Sequence, residues 1–319
     1  MNKLSKRLTI YCIICFFYFN SCEGKNFKYT LSIAAIFQDE ATYMKEWIEY
    51  HQLVGVEYFF LYNNNSCDDY LSVLEPYIKK GVVELIQWPS IKQEGDWANF
   101  CYTVQTDAYD NALARSMNVT KWLALIDIDE FIVPVNYETV PQLLESKYSN
   151  VSGLCVNWQF YGTSGVDNID KKYPMISQLV MKMQPDDPSN RLCKTIVQPH
   201  YAKSWESPHY CLYQDGCYAV DAKFRKCPKA ITKTVEIDEI RLNHYWTRDE
   251  HYFNSRKIAR YLQWGRDSTE LIERASLMNA KFDGIMGKFL PKLCRLNITQ
   301  PLKFKTLNYI EAKCGKRIE

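Results

Sequence analysis

The sequence predicts an α/β fold with a mainly parallel central sheet and a loop-rich C-terminal part. Two observations carry this. As far as Ile126, apolar strand-like runs alternate with helix-periodic stretches, which is the pattern of parallel strands joined by crossover helices. The last of these strands, Trp122–Ile126 within KWLALIDIDEFIVP (Lys121–Pro134), is an unbroken apolar run of the length expected for a strand buried on both faces.

Taken in order, the first strand is Leu31–Ile36, followed by the polar cluster Gln38-Asp39-Glu40. Met44, Trp47, Ile48 and His51 fall at i, i+3, i+4 and i+7 of a helix, which Gly55 closes. The strand Tyr58–Tyr62 ends in Asn63–Ser66, a turn cluster expected also to cap the next helix. That helix runs from about Asp68 to Lys80, with a kink expected at Pro76 and a stop at Gly81. Val82–Gln87 is a third strand, terminated by Trp88-Pro89, and a helix over about Trp97–Met117 leads to Trp122. The second half is less regular. A helix at Thr139–Lys147 precedes the strand Gly153–Trp158 and the small-residue loop Tyr161–Gly165. Further strands are expected at Cys193–Gln198 and Ile237–Trp246, then a basic helix over Asp249–Trp264 carrying Arg256, Lys257 and Arg260. There is no internal repeat and no low-complexity linker, so one domain is the expectation.

A net charge of +2 with 24% charged residues argues against a nucleic-acid binder, which needs a basic excess. Residues 1–25 read as a targeting segment: Lys3, Lys6 and Arg7 precede the apolar Leu8–Phe19, short for a membrane span. It is a signal peptide or an N-terminal signal anchor, giving secretory-pathway localisation with possible membrane association; in a bacterium the equivalent is export to the envelope. Nine of the twelve cysteines lie beyond it, an odd number, and Cys193, Cys211, Cys217 and Cys227 are expected to supply one or two disulfides. The absence of C-x-x-C speaks against a structural zinc site. Sequons stand at Asn64, Asn118, Asn150 and Asn297. Neither G-x-G-x-x-G nor G-x-x-x-x-G-K-[ST] occurs, so no dinucleotide or P-loop motif is supported.

The chemistry concentrates at Asp127-Ile128-Asp129-Glu130. Carboxylates beside a buried strand need partners, because desolvating them costs several kcal/mol or more. In an extended chain Asp127 and Asp129 point the same way and Ile128 points back into the core. Two carboxylates at the carboxyl end of a strand suit a hard cation whose coordination a phosphate completes. In parallel α/β sheets ligands bind at those ends, and Gln38–Glu40, Asn63–Ser66 and Asp127–Glu130 all stand there.

Four blocks together resemble glycosyltransferase family 92. They are EWIEYHQLVGVEYFFLYNNNS with VLEPYIKKGVVELIQWP, then KWLALIDIDEFIVP, then VNWQFYGTSG, and the pair KTIVQP and LNHYWTRDEHYFNSRK. They run in the family's order from Thr30 to Gly265. The resemblance implies a GT-A-type nucleotide-sugar-binding fold, with a nucleotide-binding half over about 30–135 and an acceptor-binding half over about 136–319 of one domain spanning 26–319. It implies a metal-dependent, inverting hexosyltransferase using UDP-galactose as donor and a glycan or glycoconjugate as acceptor. Asp127, Asp129 and His244 are the metal candidates, with Mn2+, or Mg2+, as the ion. Gln38, Glu40 and Asn63 lie beside the implied nucleotide pocket, and Lys194, Arg256 and Lys257 are candidate diphosphate contacts. Candidate bases for the acceptor hydroxyl are Asp167, Glu206, His209 and Asp249, with Asp167 preferred because it follows the Gly-rich loop. The chain departs from the family where Gln38-Asp39-Glu40 replaces Lys-Asn-Glu, where Asn63 replaces Asp, and near Asp167, where the family commonly has His. Two other readings stand beside this one: a non-catalytic glycan-binding protein on the same fold, and a metal-dependent phosphotransfer or nucleotidyl enzyme using the same acids.

Overall fold

The computed structural model describes residues 26–89, 100–263, 265 and 267–295. The expected targeting segment, the first residues of the Trp97 helix, Trp264, Asn297 and Cys314 lie outside them. The first half follows the predicted order: β1 (Tyr29–Phe37), α1 (Ala41–Leu53), β2 (Tyr58–Asn63), α2 (Tyr70–Lys79) and β3 (Val83–Gln87). A π-helical turn, Phe100–Gln105, then runs into α3 (Thr106–Ser116) and β4 (Thr120–Leu125). The chain continues with β5 (Glu130–Pro134), α4 (Val140–Lys147), β6 (Gly153–Phe160), β7 (Met181–Lys182) and β8 (Cys193–Val197). Next come the hairpin of β9 (Ala202–Ser207) and β10 (Tyr210–Tyr213), then β11 (Ala219–Val220) and β12 (Ile240–His244). Residues 250–263 are helical, with a π-helical stretch at Phe253–Ile258, and α5 (Thr269–Leu277) and β13 (Lys281–Phe282) follow.

One sheet runs β3-β2-β1-β4-β8-β6-β12-β5, with β11 attached to β6. Strands β1 to β4 are mutually parallel, as are β6, β11 and β12; only β8 and β5 run against their neighbours. The sheet is therefore mainly parallel, and it is covered on both faces, as the two-faced apolar strands require. In β4, Trp122 and Ala124 face a core formed with Trp47, Ile48, Leu74, Leu143 and Leu144 of α1, α2 and α4. Leu123 and Leu125 face the other side, onto Tyr109, Ala112 and Leu113 of α3 and Trp205 of β9. Gly55 ends the turn after α1 at φ +97°, and a Cβ there would lie 2.8 Å from Pro141 Cδ, so both conformation and space demand glycine.

The edge strand β5 leaves backbone groups that β12 does not reach, and α1 takes them up. Trp47 Nε1–H donates to the Glu130 carbonyl (2.8 Å) and Tyr50 Oη–H to the Ile132 carbonyl (3.0 Å). The Ile132 N–H donates to His51 Nε2 (3.3 Å), while His51 Nδ1–H donates to the Trp47 carbonyl (2.8 Å). The block EWIEYH thus shields a sheet edge whose next residues are the acid cluster. Burial drives the His51 pKa down to about 3, and the folded protein holds the ring neutral. Because the folded pKa lies below the unfolded one, protonation favours unfolding. The stability is present above pH 6.5 and is lost as pH falls, by up to ~2 kcal/mol between pH 6.5 and 5. Urea unfolding across that window is expected to show this slope, and a His51→Gln variant to flatten it.

Four expectations are corrected. Asn63–Ser66 does not cap α2, whose N-cap residue Asp69 makes no side-chain capping bond. Instead this cluster binds the neighbouring strand end: the Asp39 N–H donates to Ser66 Oγ (3.0 Å) and Gln38 Nε2 to the Asn65 carbonyl (3.2 Å). Asn64 is 3% exposed with its amide on the Trp88 carbonyl (2.8 Å), so its sequon is closed; Asn118 and Asn150 are exposed. Residues 127–129 form a turn, closed by the Glu130 N–H on the Asp127 carbonyl (3.1 Å), and not an extended chain. Ile128 still enters the core, at 3% exposure, but the two acids find different surroundings. Among the described residues every cysteine is unbridged, and the four expected to group together do not. Cys211 packs with Trp205 behind the sheet, whereas Cys193 and Cys227 meet Cys155. No helix among the described residues is long and apolar enough to cross a membrane.

Candidate active site

Because β2, β1 and β4 are adjacent and parallel, their carboxyl ends bring Asn63–Ser66, Gln38–Glu40 and Asp127–Glu130 to one edge. On one side of the acid turn, Asp127 accepts from Lys194 Nζ (2.9 Å), Gln105 Nε2 (3.1 Å) and Tyr109 Oη (3.3 Å). Its side chain nevertheless remains 34% exposed, leaving an open edge. Glu130 is fully buried. Its Oε2 accepts the Asp127 N–H (2.7 Å) and lies 3.6 Å from Lys194 Nζ, while Oε1 has no partner. Burial pushes the Glu130 carboxyl well above the carboxylate range, with Lys194 opposing. For Lys194 burial works against the charge, and Asp127 and Glu130 outweigh it, so its pKa is raised. At 2% side-chain exposure this ammonium is committed to the acids, which corrects the expectation of a free diphosphate contact.

On the other side stand Asp129, His244 and Lys257. The pairing of β12 with β5 sets His244 opposite Glu130, and the Tyr245 N–H on the Asp129 carbonyl (2.8 Å) ties the strand end to the turn. His244 Nε2 lies 3.5 Å from Asp129 Oδ1, beyond a good hydrogen bond, and His244 Nδ1 is buried without a partner. Lys257 Nζ is 3.7 Å from Asp129 Oδ2. Burial raises the Asp129 pKa, but His244, Lys257 and Arg248 outweigh it and hold the carboxyl well below its usual range. Burial lowers the His244 pKa, with Asp129 opposing. Asp129 is therefore ionised, while burial works against the imidazolium form of His244 and Asp129 works for it. His244 is held between Phe160 (centroids 5.1 Å) and Trp158 (4.5 Å), and Trp158 also meets His209 (4.9 Å).

Arg248 is the residue that sequence reasoning missed. It is 1% exposed, adopts φ +51°, and stacks against Tyr43 (3.7 Å) and Tyr252 (4.5 Å). Its Nη2 donates to Glu40 Oε2 (2.5 Å), while Nε and Nη1 find no partner. Burial raises the Glu40 pKa, Arg248 lowers it and Asp129 raises it, which places Glu40 within reach of the acid turn. No local motif marks this arginine, because its two aromatic walls come from α1 and from the helical segment after it.

The remaining candidates divide. Asn63 is 4% exposed and engaged within the loop: Nδ2 donates to Tyr70 Oη (2.9 Å) and Gln87 Oε1 (2.7 Å), and Oδ1 accepts the Ser66 N–H (3.0 Å). Gln38 is half-buried, and Arg256 is exposed to solvent. Of the candidate bases, Asp249 is spent as a helix cap, accepting from the Tyr252 N–H (2.7 Å) and the Ile169 N–H (2.7 Å). Glu206 and Asp167 are exposed, and the Asp167 carbonyl accepts the His251 N–H (3.0 Å) beside the Arg248 turn. His209 donates Nδ1–H to the Cys193 carbonyl (3.1 Å), which leaves Nε2 as a bare acceptor. Burial and then Lys194 drive its pKa down to about 3.

Asp129, ionised and 3.5 Å from His244 Nε2, brings a carboxylate and an imidazole together in a pair suited to a divalent cation. Asp127 stands on the other side of the turn with both oxygens accepting hydrogen bonds, and among the described residues the three do not come within 4.8 Å of one another, so its carboxylate must turn to join them.

The sequence model of a family described as Glycosyltransferase family 92 matches residues 27–274. A glycosyltransferase family 92 protein of Ricinus communis is 26% identical over 198 residues, which are 60% of this chain and 33% of that protein. One from Oryza sativa subsp. japonica is 27% identical over 148 residues, 45% of this chain and 23% of that protein. The chain thus spans a third or less of the length of these curated relatives. Among solved structures, S. aureus TarS 1-349 in complex with UDP is 10% identical at a TM-score of 0.33, covering 53% of this chain and 47% of that one. Glucosyl-3-phosphoglycerate synthase from Mycobacterium tuberculosis, with Mn2+, UDP-glucose and phosphoglyceric acid, is 12% identical at a TM-score of 0.27, covering 41% and 44%.

Proposed function

The chain belongs to glycosyltransferase family 92, and from that premise we propose that it is a metal-dependent inverting hexosyltransferase moving galactose from UDP-galactose to a glycan hydroxyl. The observation that carries this reading is the ionised Asp129 facing His244 in the turn after β4, with Asp127 two residues before it. In this reading those three residues hold Mn2+, or Mg2+, which when bound supplies positive charge to the leaving diphosphate. Lys257 and Arg248 add cationic charge on the same side, and Glu40 is held in place by Arg248. Trp158 gives the sugar an apolar wall. The acceptor oxygen attacks the anomeric carbon, the bond to the diphosphate breaks, and the hydroxyl proton passes to a base. Asp167 remains our candidate for that base, because its exposed carboxylate is free, whereas Asp249 is a cap and His209 is held weakly basic. We place the protein in the secretory pathway on the strength of residues 1–25.

A competition screen of UDP, GDP and CDP sugars with Mn2+ present tests the donor. UDP-galactose is expected to bind tightest, since a site built for one hydroxyl leaves buried polar groups unpaired with its epimer. Tightest binding of a GDP sugar overturns the uridine reading, and a preference for UDP-glucose removes galactose.

A further inference from the structure

Three buried thiols from separate stretches of chain meet behind the acid turn. Cys155 of β6 and Cys193 of β8 stand diagonally across antiparallel strands, in a register that pairs Cys155 with Thr195 and Asn157 with Cys193. Cys227 is laid over them by its N–H on the Ala219 carbonyl (2.9 Å), and the Cys193 N–H donates to the Ala230 carbonyl (3.0 Å). The three sulfurs lie within 4.8 Å of one another, and the residues are 1%, 0% and 3% exposed. Ala219 completes the enclosure and Tyr213 packs against it, with its hydroxyl buried and unpartnered.

We propose that Cys155, Cys193 and Cys227 form a thiolate site for Zn2+, with the Tyr213 hydroxyl as an oxygen donor beside it. Zinc–sulfur bonds of about 2.3 Å set the sulfurs of such a site about 3.7–4.0 Å apart, so the observed triangle closes on the ion by small side-chain movements. The Cys193 and Cys227 thiols now donate to the Ala230 and Lys229 carbonyls (both 3.2 Å), bonds that metal binding would replace, and the three sulfurs select a soft or borderline cation over the hard ones. A disulfide engages only two of the three, drawing them to about 2.05 Å and leaving the third thiol buried and idle. The protons balance simply. Binding of Zn2+ releases the thiol protons of the three cysteines to solvent. The absence of C-x-x-C is no obstacle, because the fold supplies the convergence that sequence spacing does not.

The test uses the full chain purified without chelator or thiol reductant, with zinc measured by mass spectrometry. About one zinc per chain is expected, falling to near none in Cys227→Ser. Should that variant fail to fold, the wild-type protein decides: after demetallation, Co2+ is expected to give thiolate-to-metal charge-transfer absorption. A peptide map under non-reducing conditions that links any two of the three cysteines overturns the proposal. So does a zinc-free protein in which all three alkylate on unfolding. None of these readouts depends on sugar transfer, so the site stands or falls apart from the proposed activity.

Discussion

Asp129→Asn is expected to lower turnover on the order of 10² or more in protein that still folds. The substitution keeps the shape and removes the charge. Asp129 makes no close hydrogen bond to a protein donor, since His244 stands at 3.5 Å and Lys257 at 3.7 Å, so the cost to stability is the lost attraction of those groups and of Arg248, which unfolding measures separately from turnover. The loss therefore reports what the carboxylate does for the leaving diphosphate. Asp127→Asn is the less clean experiment, because Asp127 also carries Lys194, Gln105 and Tyr109. Steady-state kinetics with the donor saturating are expected to show the fall in kcat. Near-normal turnover in Asp129→Asn rules out a role for this carboxylate in the reaction.

Lys194→Met is expected to cost about 3–5 kcal/mol of stability, the range for removing one partner of a buried ion pair. The ammonium is 2% exposed and answers both Asp127 at 2.9 Å and the fully buried Glu130 at 3.6 Å. With it gone, Asp127 loses its cation and Glu130 loses the charge that opposes its protonation. Removing the remaining charge in Lys194→Met/Asp127→Asn is expected to restore part of the loss. Denaturant unfolding of both variants measures this, and a single variant within 1 kcal/mol of wild type on that roughly 3–5 kcal/mol scale contradicts the arrangement.

What was legible in the sequence follows from the range over which each interaction acts. Strands β1 to β4 and their helices declare themselves through local periodicity, and Asp127, Asp129 and His244 stand out as polar residues ending apolar runs. Arg248 and Lys194 are different. Arg248 looks like one more cation before a basic helix until Tyr43, more than 200 residues earlier, is laid against it. Lys194 is read as a ligand contact until β8 is inserted between β4 and β6, which turns its side chain onto the acids. Asn63 likewise has the composition of a binding loop, yet its amide is consumed by Tyr70, Gln87 and Ser66. The cysteines carry the same lesson: β6, β8 and the segment at Cys227 are joined only by the sheet.

The central claim is that the acid turn and His244 together hold a divalent cation under a nucleotide sugar, and Mn2+ titration followed by electron paramagnetic resonance tests it most directly. One Mn2+ per chain is expected in the wild type, bound more tightly when UDP is present, with that binding lost in Asp129→Asn and weakened in His244→Ala. Equal Mn2+ binding by all three proteins, with sugar transfer undiminished by EDTA, contradicts it.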